Sequence, residues 1–130
     1  MMTPELTVLA LAAVLQAAQI GIAAMVMNKD VGADWNAGPR DRQPEFAPMT
    51  GRLRRAVNNH FESLAFLTIA VVLVTMSDQQ NPFTAWAAWI HLLARVIYIP
   101  AYAFAWTPWR SVIWGVGFLS VMLMILSTLF

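Results

Sequence analysis

An all-α membrane protein built as a bundle of four transmembrane helices follows from three features of the chain. Of its 130 residues, 59% are hydrophobic and only 12% charged, where a soluble domain carries about a quarter charged residues. The apolar residues fall into four long runs, and runs of that length mark lipid as the solvent. The connections after the second and third runs are short, so those spans are expected to pack as antiparallel neighbours in one domain, residues 1–130.

Span one is LTVLALAAVLQAAQIGIAAMVM, residues 6–27. About 20 residues rising ~1.5 Å each cover the hydrocarbon layer. No basic region precedes it and its apolar core exceeds that of a secretory signal, so a retained helix is expected. Gln16 and Gln19, with Gly21 and Ala24 nearby, suit helix packing and interhelical hydrogen bonds. Residues 28–54 form a polar loop rich in Gly, Pro and Asp. Span two covers 57–76, span three 83–106 and span four 111–130, joined by SDQQNP and TPW.

Lys29, Arg40, Arg42, Arg52, Arg54 and Arg55 lie in or beside the first loop, and Arg110 lies in the third. The positive-inside rule then places loops one and three in the cytoplasm and both termini outside. Trp86, Trp89, Trp106, Trp109 and Trp114 fall near span ends, where indoles favour the membrane interface. Without cysteine there is no disulfide framework, thiol nucleophile or thiolate metal site. The net charge of +1, with its basic residues beside membrane segments, argues against nucleic acid as a partner.

The polar residues inside the spans are ordered by face. Arg55, Asn59 and Glu62 recur at helical spacing on span two, and His91, Arg95, Tyr98 and Tyr102 do so on span three. Membrane-embedded ionisable groups normally face the bundle interior or a wet cavity, and they are functional candidates by default. A hairpin turning near Gln79 and Gln80 puts residues whose numbers sum to about 160 at one level. Glu62 is then level with Arg95 to Tyr98, Arg55 with Tyr102, and Arg110 close to Arg55. One pocket in the cytoplasmic leaflet is expected. Arginines, a carboxylate, an amide and two phenols suit a small zwitterionic ligand with several charges. Glutathione is such a molecule, and an arginine beside its thiol would favour the thiolate; the residue chemistry alone equally allows other anions.

Arg55-Ala56, Asn59 and Glu62, read as R-A-x-x-N-x-x-E, resemble the signature of the MAPEG family, the membrane-associated proteins of eicosanoid and glutathione metabolism. ARVIYIPAY, residues 94–102, is similar to the family's A-R-x-x-Y-x-x-x-Y on span three, and WRSVIWGVG, residues 109–117, to the arginine-led start of span four in bacterial members. The resemblance covers the whole chain and points to a bacterial-type member similar to the microsomal glutathione transferases. It implies a left-handed four-helix bundle, a homotrimer and glutathione bound as co-substrate between neighbouring protomers at the cytoplasmic side. Arg55, Asn59 and Glu62 would hold glutathione, Tyr98 and Tyr102 would line the site, and Arg110 would activate the thiol. A lipophilic substrate would arrive from the surrounding membrane lipids, and the bacterial inner membrane would be the location. Ser63 stands where eicosanoid-forming members have tyrosine, Val57 where they have glutamine, and Asn28-Lys29 where they have a basic pair. The bacterial branch shares such departures.

Plainer roles compete for the same residues. Arg55 would snorkel to the interface, and Asn59 with Glu62 would tie helices together. A structural ion pair between Arg95 and Glu62 is expected from their common level. The rival to an enzyme is a non-catalytic membrane subunit of the same fold that binds lipid or a partner complex. Neither haem nor another metal is expected: the hairpin register separates His60 from His91 by about 12 Å in depth at ~1.5 Å per residue, too far to share one iron.

Overall fold

Helix α1, Pro4–Val31, starts where Thr3 caps it, the Oγ accepting from the backbone N–H of Leu6 at 3.3 Å with Pro4 in the first turn. It ends at Gly32, whose φ of 93° lies outside the range that side-chain-bearing residues readily adopt. The computed structural model describes all 130 residues and contains four helices long and apolar enough to cross a membrane, with no strands. The first loop is more ordered than its composition implies. A short helix α2, Ala33–Ala37, folds back on α1 through Asn36 Nδ2 donating to Asn28 Oδ1 at 2.8 Å. Trp35 Nε1 donates to the Arg42 carbonyl at 2.7 Å, and the Ala47 N–H donates to Asp30 Oδ2 at 2.8 Å. Residues 32–47 therefore form a strap across one end of the bundle.

Helix α3, Pro48–Met76, begins inside the segment that hydropathy assigns to the loop. Hydropathy marks the part of a helix that lies in lipid, whereas the helix itself starts at Pro48, with proline pre-organised for the first turn. The extra turns carry Arg52, Arg54 and Arg55, so these cations are fixed on a rigid element. Arg54 sits over the Phe46 ring at 4.4 Å, pinning the strap to α3.

The α3–α4 turn sets the register of the polar faces. Asp78 adopts φ 54°, and the Ser77 and Gln79 N–H groups donate back to Leu73 and Val74, closing the helix end. The chain then runs back along α3 before Asn81 caps α4, Pro82–Ala103, in a capping box with Thr84. Consequently α4 begins about one turn below the end of α3. The hydrogen-bonded pairs Arg55–Tyr102, Asn59–Arg95 and Ser63–His91 have numbers summing to about 155, not 160. The hairpin expectation is corrected by that amount.

Helix α5, Trp109–Ser127, packs chiefly on α4, and α1 packs on α3 and α4. Only 27 of the 130 residues are buried, while Val14, Met25, Ile69, Leu93 and Leu119 are among many exposed apolar residues. An apolar surface of this extent requires lipid or protein around it. Toward the α3–α4 turn, Val8, Ala12, Leu67, Ala70, Val71, Val74, Ala88, Val121 and Met124 form a dry core. Toward the strap His60, His91, Arg95 and Tyr98 are buried beside Ala56, Ala101 and Ala103, and that end holds the site.

Candidate functional site

Three elements bring two arginines onto one phenol at the strap end. Arg55 Nε on α3 donates to Tyr102 Oη on α4 at 2.8 Å. Arg110, in the first turn of α5, lies over the same ring with its guanidinium carbon 4.8 Å from the centroid. Tyr98 meets Tyr102 edge-on at 5.6 Å. Tyr98 is buried, Tyr102 and Arg110 are half-buried, and Arg55 is exposed. The partners of both guanidiniums here are phenol rings rather than carboxylates. Two cations held together without a counter-charge make a receptor for an anion, because a ligand carboxylate or thiolate relieves their repulsion.

A second layer lies one turn deeper. Arg95 is buried at 2% exposure; its Nη1 donates to Asn59 Oδ1 at 2.8 Å and its Nε to His60 Nδ1 at 3.2 Å. His60 Nε2 lies 2.9 Å from the Ala12 carbonyl. A carbonyl only accepts, so Nε2 carries the proton and Nδ1 is free to accept from Arg95. This chain from α1 to α4 also fixes Asn59: its oxygen faces Arg95, so its NH₂ is the end left for a ligand. Arg95 further lies over the Tyr98 ring at 4.3 Å, and its Nη2 has no partner.

The structure departs from the expected Arg95–Glu62 ion pair. Arg95 uses its bonds on Asn59 and His60, while Glu62 is exposed on the outer side of α3. The register shift explains the change, since it carries Arg95 toward Asn59 and brings His91 level with Ser63. Glu62 and Arg95 still line one cavity of about 50 Å³ with Ser63, His91, Phe66, Trp114, Phe118 and Val121. Ser63 Oγ is 3.0 Å from His91 Nε2, and His91 Nδ1 is 2.9 Å from the Gly117 carbonyl. By the corrected register His60 and His91 differ by about four residues, or ~6 Å in depth, so the depth argument overstates their separation. No group of three or more His, Asp or Glu is placed to hold a metal ion.

Of the residues expected in the site, Arg55, Tyr98, Tyr102 and Arg110 are brought together, and Asn59 joins them through Arg95. Glu62 faces outward beside them. His91 was legible on the polar face of span three, but its bond to Ser63 and the part played by His60 were not. The usable signal was that His91 shares the helical face of Arg95 and Tyr98, whereas His60 sits on the buried face with Ala56, Leu67 and Val71.

These features define an integral membrane four-helix protein with a basic, tyrosine-lined polar end. The MAPEG family profile matches residues 6–130, essentially the whole chain, and the chain belongs to that family. Its function therefore falls in glutathione-related or eicosanoid metabolism at a membrane, with glutathione the substrate that family members use. No curated protein matches the chain.

Proposed function

We propose that this chain is the protomer of a membrane-bound, glutathione-dependent transferase or peroxidase acting on lipophilic electrophiles. The observation that carries the reading is the placement of Arg55 and Arg110 on Tyr102 without carboxylate partners. Arg55, Asn59 and Glu62 hold glutathione, the first two by donating to its carboxylates and Glu62 by accepting from its ammonium. Tyr98 and Tyr102 line the site. Arg110 stabilises the thiolate, which attacks an electrophile arriving through the surrounding lipid. Arg55 and Glu62 are exposed in the single protomer, which fits a site completed by a neighbouring copy in a homotrimer. Lys29 and the α3 N-terminal cations Arg52, Arg54 and Arg55, with Arg110 on α5, support a cytoplasmic strap end with both termini outside, and the bacterial inner membrane as the location.

The test is ultraviolet thiolate absorbance on adding glutathione to detergent-purified protein. Wild type is expected to show a saturable thiolate signal. Arg110→Ala is expected to lose that signal and about 10²–10³-fold in conjugation rate, the usual cost of removing one charge-stabilising donor. Unchanged conjugation in Arg110→Ala would sink its assignment. No binding and no thiolate in wild type would favour the non-catalytic subunit.

A further inference from the structure

Ser63 and His91 are arranged as a nucleophile and its base. The Gly117 carbonyl can only accept, so His91 Nδ1 must donate to it across 2.9 Å. That fixes the tautomer and leaves Nε2 as an acceptor, and the Ser63 hydroxyl donates to it across 3.0 Å. A hydroxyl, an imidazole nitrogen within hydrogen-bond reach and a third group orienting the ring are the requirements for activating serine. Here a backbone carbonyl holds the ring in place of a carboxylate.

Glycine at position 117 lets α5 approach α4 closely beside that carbonyl. A Cβ at Gly117 would stand 3.2 Å from the Ala94 Cβ, so α4 and α5 would have to part by a few tenths of an ångström, and in ordinary contact at 3.5 Å from His91 Nδ1. Ser63 and His91 both line the cavity of about 50 Å³, room for one or two water molecules. Its aromatic wall is Phe66, Trp114 and Phe118; Trp114 stacks on Phe118 at 5.1 Å and Phe66 meets Phe118 edge-on at 5.7 Å. All three aromatics are exposed on the apolar surface, so the cavity opens toward lipid. The charged groups lining it are Arg95 and Glu62. Arg95 retains an unpartnered Nη2, a cationic donor for developing negative charge.

We propose that Ser63 is an acyl-accepting nucleophile, with His91 as its general base, toward lipophilic esters that enter from the bilayer. Ser63 Oγ attacks the ester carbonyl while its proton passes to His91 Nε2. The tetrahedral intermediate collapses, the C–O bond to the alcohol breaks, and His91 returns the proton to the leaving alkoxide. Water then attacks the acyl-serine with His91 again taking the proton, releasing the acid and restoring the Ser63 hydroxyl. No redox partner is needed, and glutathione takes no part.

The experiment treats the intact protein in lipid nanodiscs with an alkyl fluorophosphonate and maps the adduct by mass spectrometry. Modification is expected at Ser63 and not at Ser77, Ser111, Ser120 or Ser127, and it should vanish in Ser63→Ala. His91→Asn is expected to slow labelling by about 10²–10⁴-fold, the range of general base catalysis. Absence of a Ser63 adduct in wild type, or labelling indifferent to His91→Asn, overturns the proposal. Should His91→Asn fail to fold, His91→Gln, whose amide keeps a polar side chain in the helix but cannot serve as a base, must slow labelling at least tenfold for the proposal to stand. The glutathione thiolate signal of Ser63→Ala is expected to match wild type, which separates this outcome from the fate of the conjugation site.

Discussion

The two ends of the bundle are filled on opposite terms. At the turn end the four long helices meet through Val8, Leu67, Val71, Val74, Ala88, Val121 and Met124, all essentially inaccessible. At the strap end the equally buried positions are taken by His60, His91, Arg95 and Tyr98, with Gln16 donating to the Val57 carbonyl at 3.1 Å. Each polar group there incurs a desolvation cost and recovers it only through specific hydrogen bonds. Apolar packing tolerates small shifts in geometry, whereas a bonded network accepts one arrangement. One end therefore holds the helices together, and the other holds side chains in fixed directions. The division makes sense of why the working residues are not simply placed on the surface: Asn59 owes its orientation to Arg95, and Arg95 owes its own to His60.

The comparison breaks most readily at Leu67, which is fully buried in the dry core. Leu67→Ala is expected to lower unfolding stability by about 2–5 kcal/mol, the range for deleting a buried leucine side chain. Glutathione binding by the fraction that remains folded should be unchanged. Denaturant titration in mixed micelles, paired with the thiolate absorbance, reads both quantities. A loss of binding equal to the loss of stability would mean that the two ends do not act separately.

The converse substitution is Arg95→Met, which keeps the length of the side chain and removes its charge. Removing the buried cation lifts its desolvation cost, which offsets part of the cost of leaving His60 Nδ1 and Asn59 Oδ1 without their donor. Asn59, however, loses the donor that orients it. Glutathione affinity is expected to fall about tenfold, equivalent to about 1.4 kcal/mol, with a smaller loss of stability than in Leu67→Ala. A large fall in stability with affinity intact would make Arg95 a structural strut only.

How much of this was legible in the sequence follows the locality of the signals. Four spans and the polar face of Arg95, Tyr98 and Tyr102 are properties of periodicity within single helices, and they appear where expected. The meeting of Arg55 with Tyr102 was also readable, because it needs only a hairpin and an approximate register. The partner of Arg95 was not. It depends on a shift of about one turn between α3 and α4, created by Asp78 at positive φ and the returning segment before Asn81. Nor does composition reveal that the strap is ordered, because its bonds join Trp35, Asn36 and Asp30 to residues several positions away. The part played by His60 is a tertiary fact: it rests on the Ala12 carbonyl of a helix 48 positions earlier in the chain.

The turn end is not wholly apolar, and its one buried polar contact gives the smallest predicted effect. Glu5 is 1% exposed and bonded to Thr84 Oγ1 on α4, while its other carboxyl oxygen has no partner. Thr84 Oγ1 also accepts from the Asn81 N–H at 3.0 Å, closing the capping box of α4. If the turn end is held chiefly by packing, deleting this hydroxyl should cost little. Interhelical hydrogen bonds in membrane proteins average about 0.6 kcal/mol and reach about 1.7. Thr84→Val is therefore expected to lower stability by about 1 kcal/mol, and Thr84→Ser, which keeps the hydroxyl, to restore most of it. A loss from Thr84→Val as large as that from Leu67→Ala would show that the α1–α4 contact depends on a polar clamp. The contrast between the two ends would then be one of degree, because both would rely on a bonded residue to fix how the helices meet.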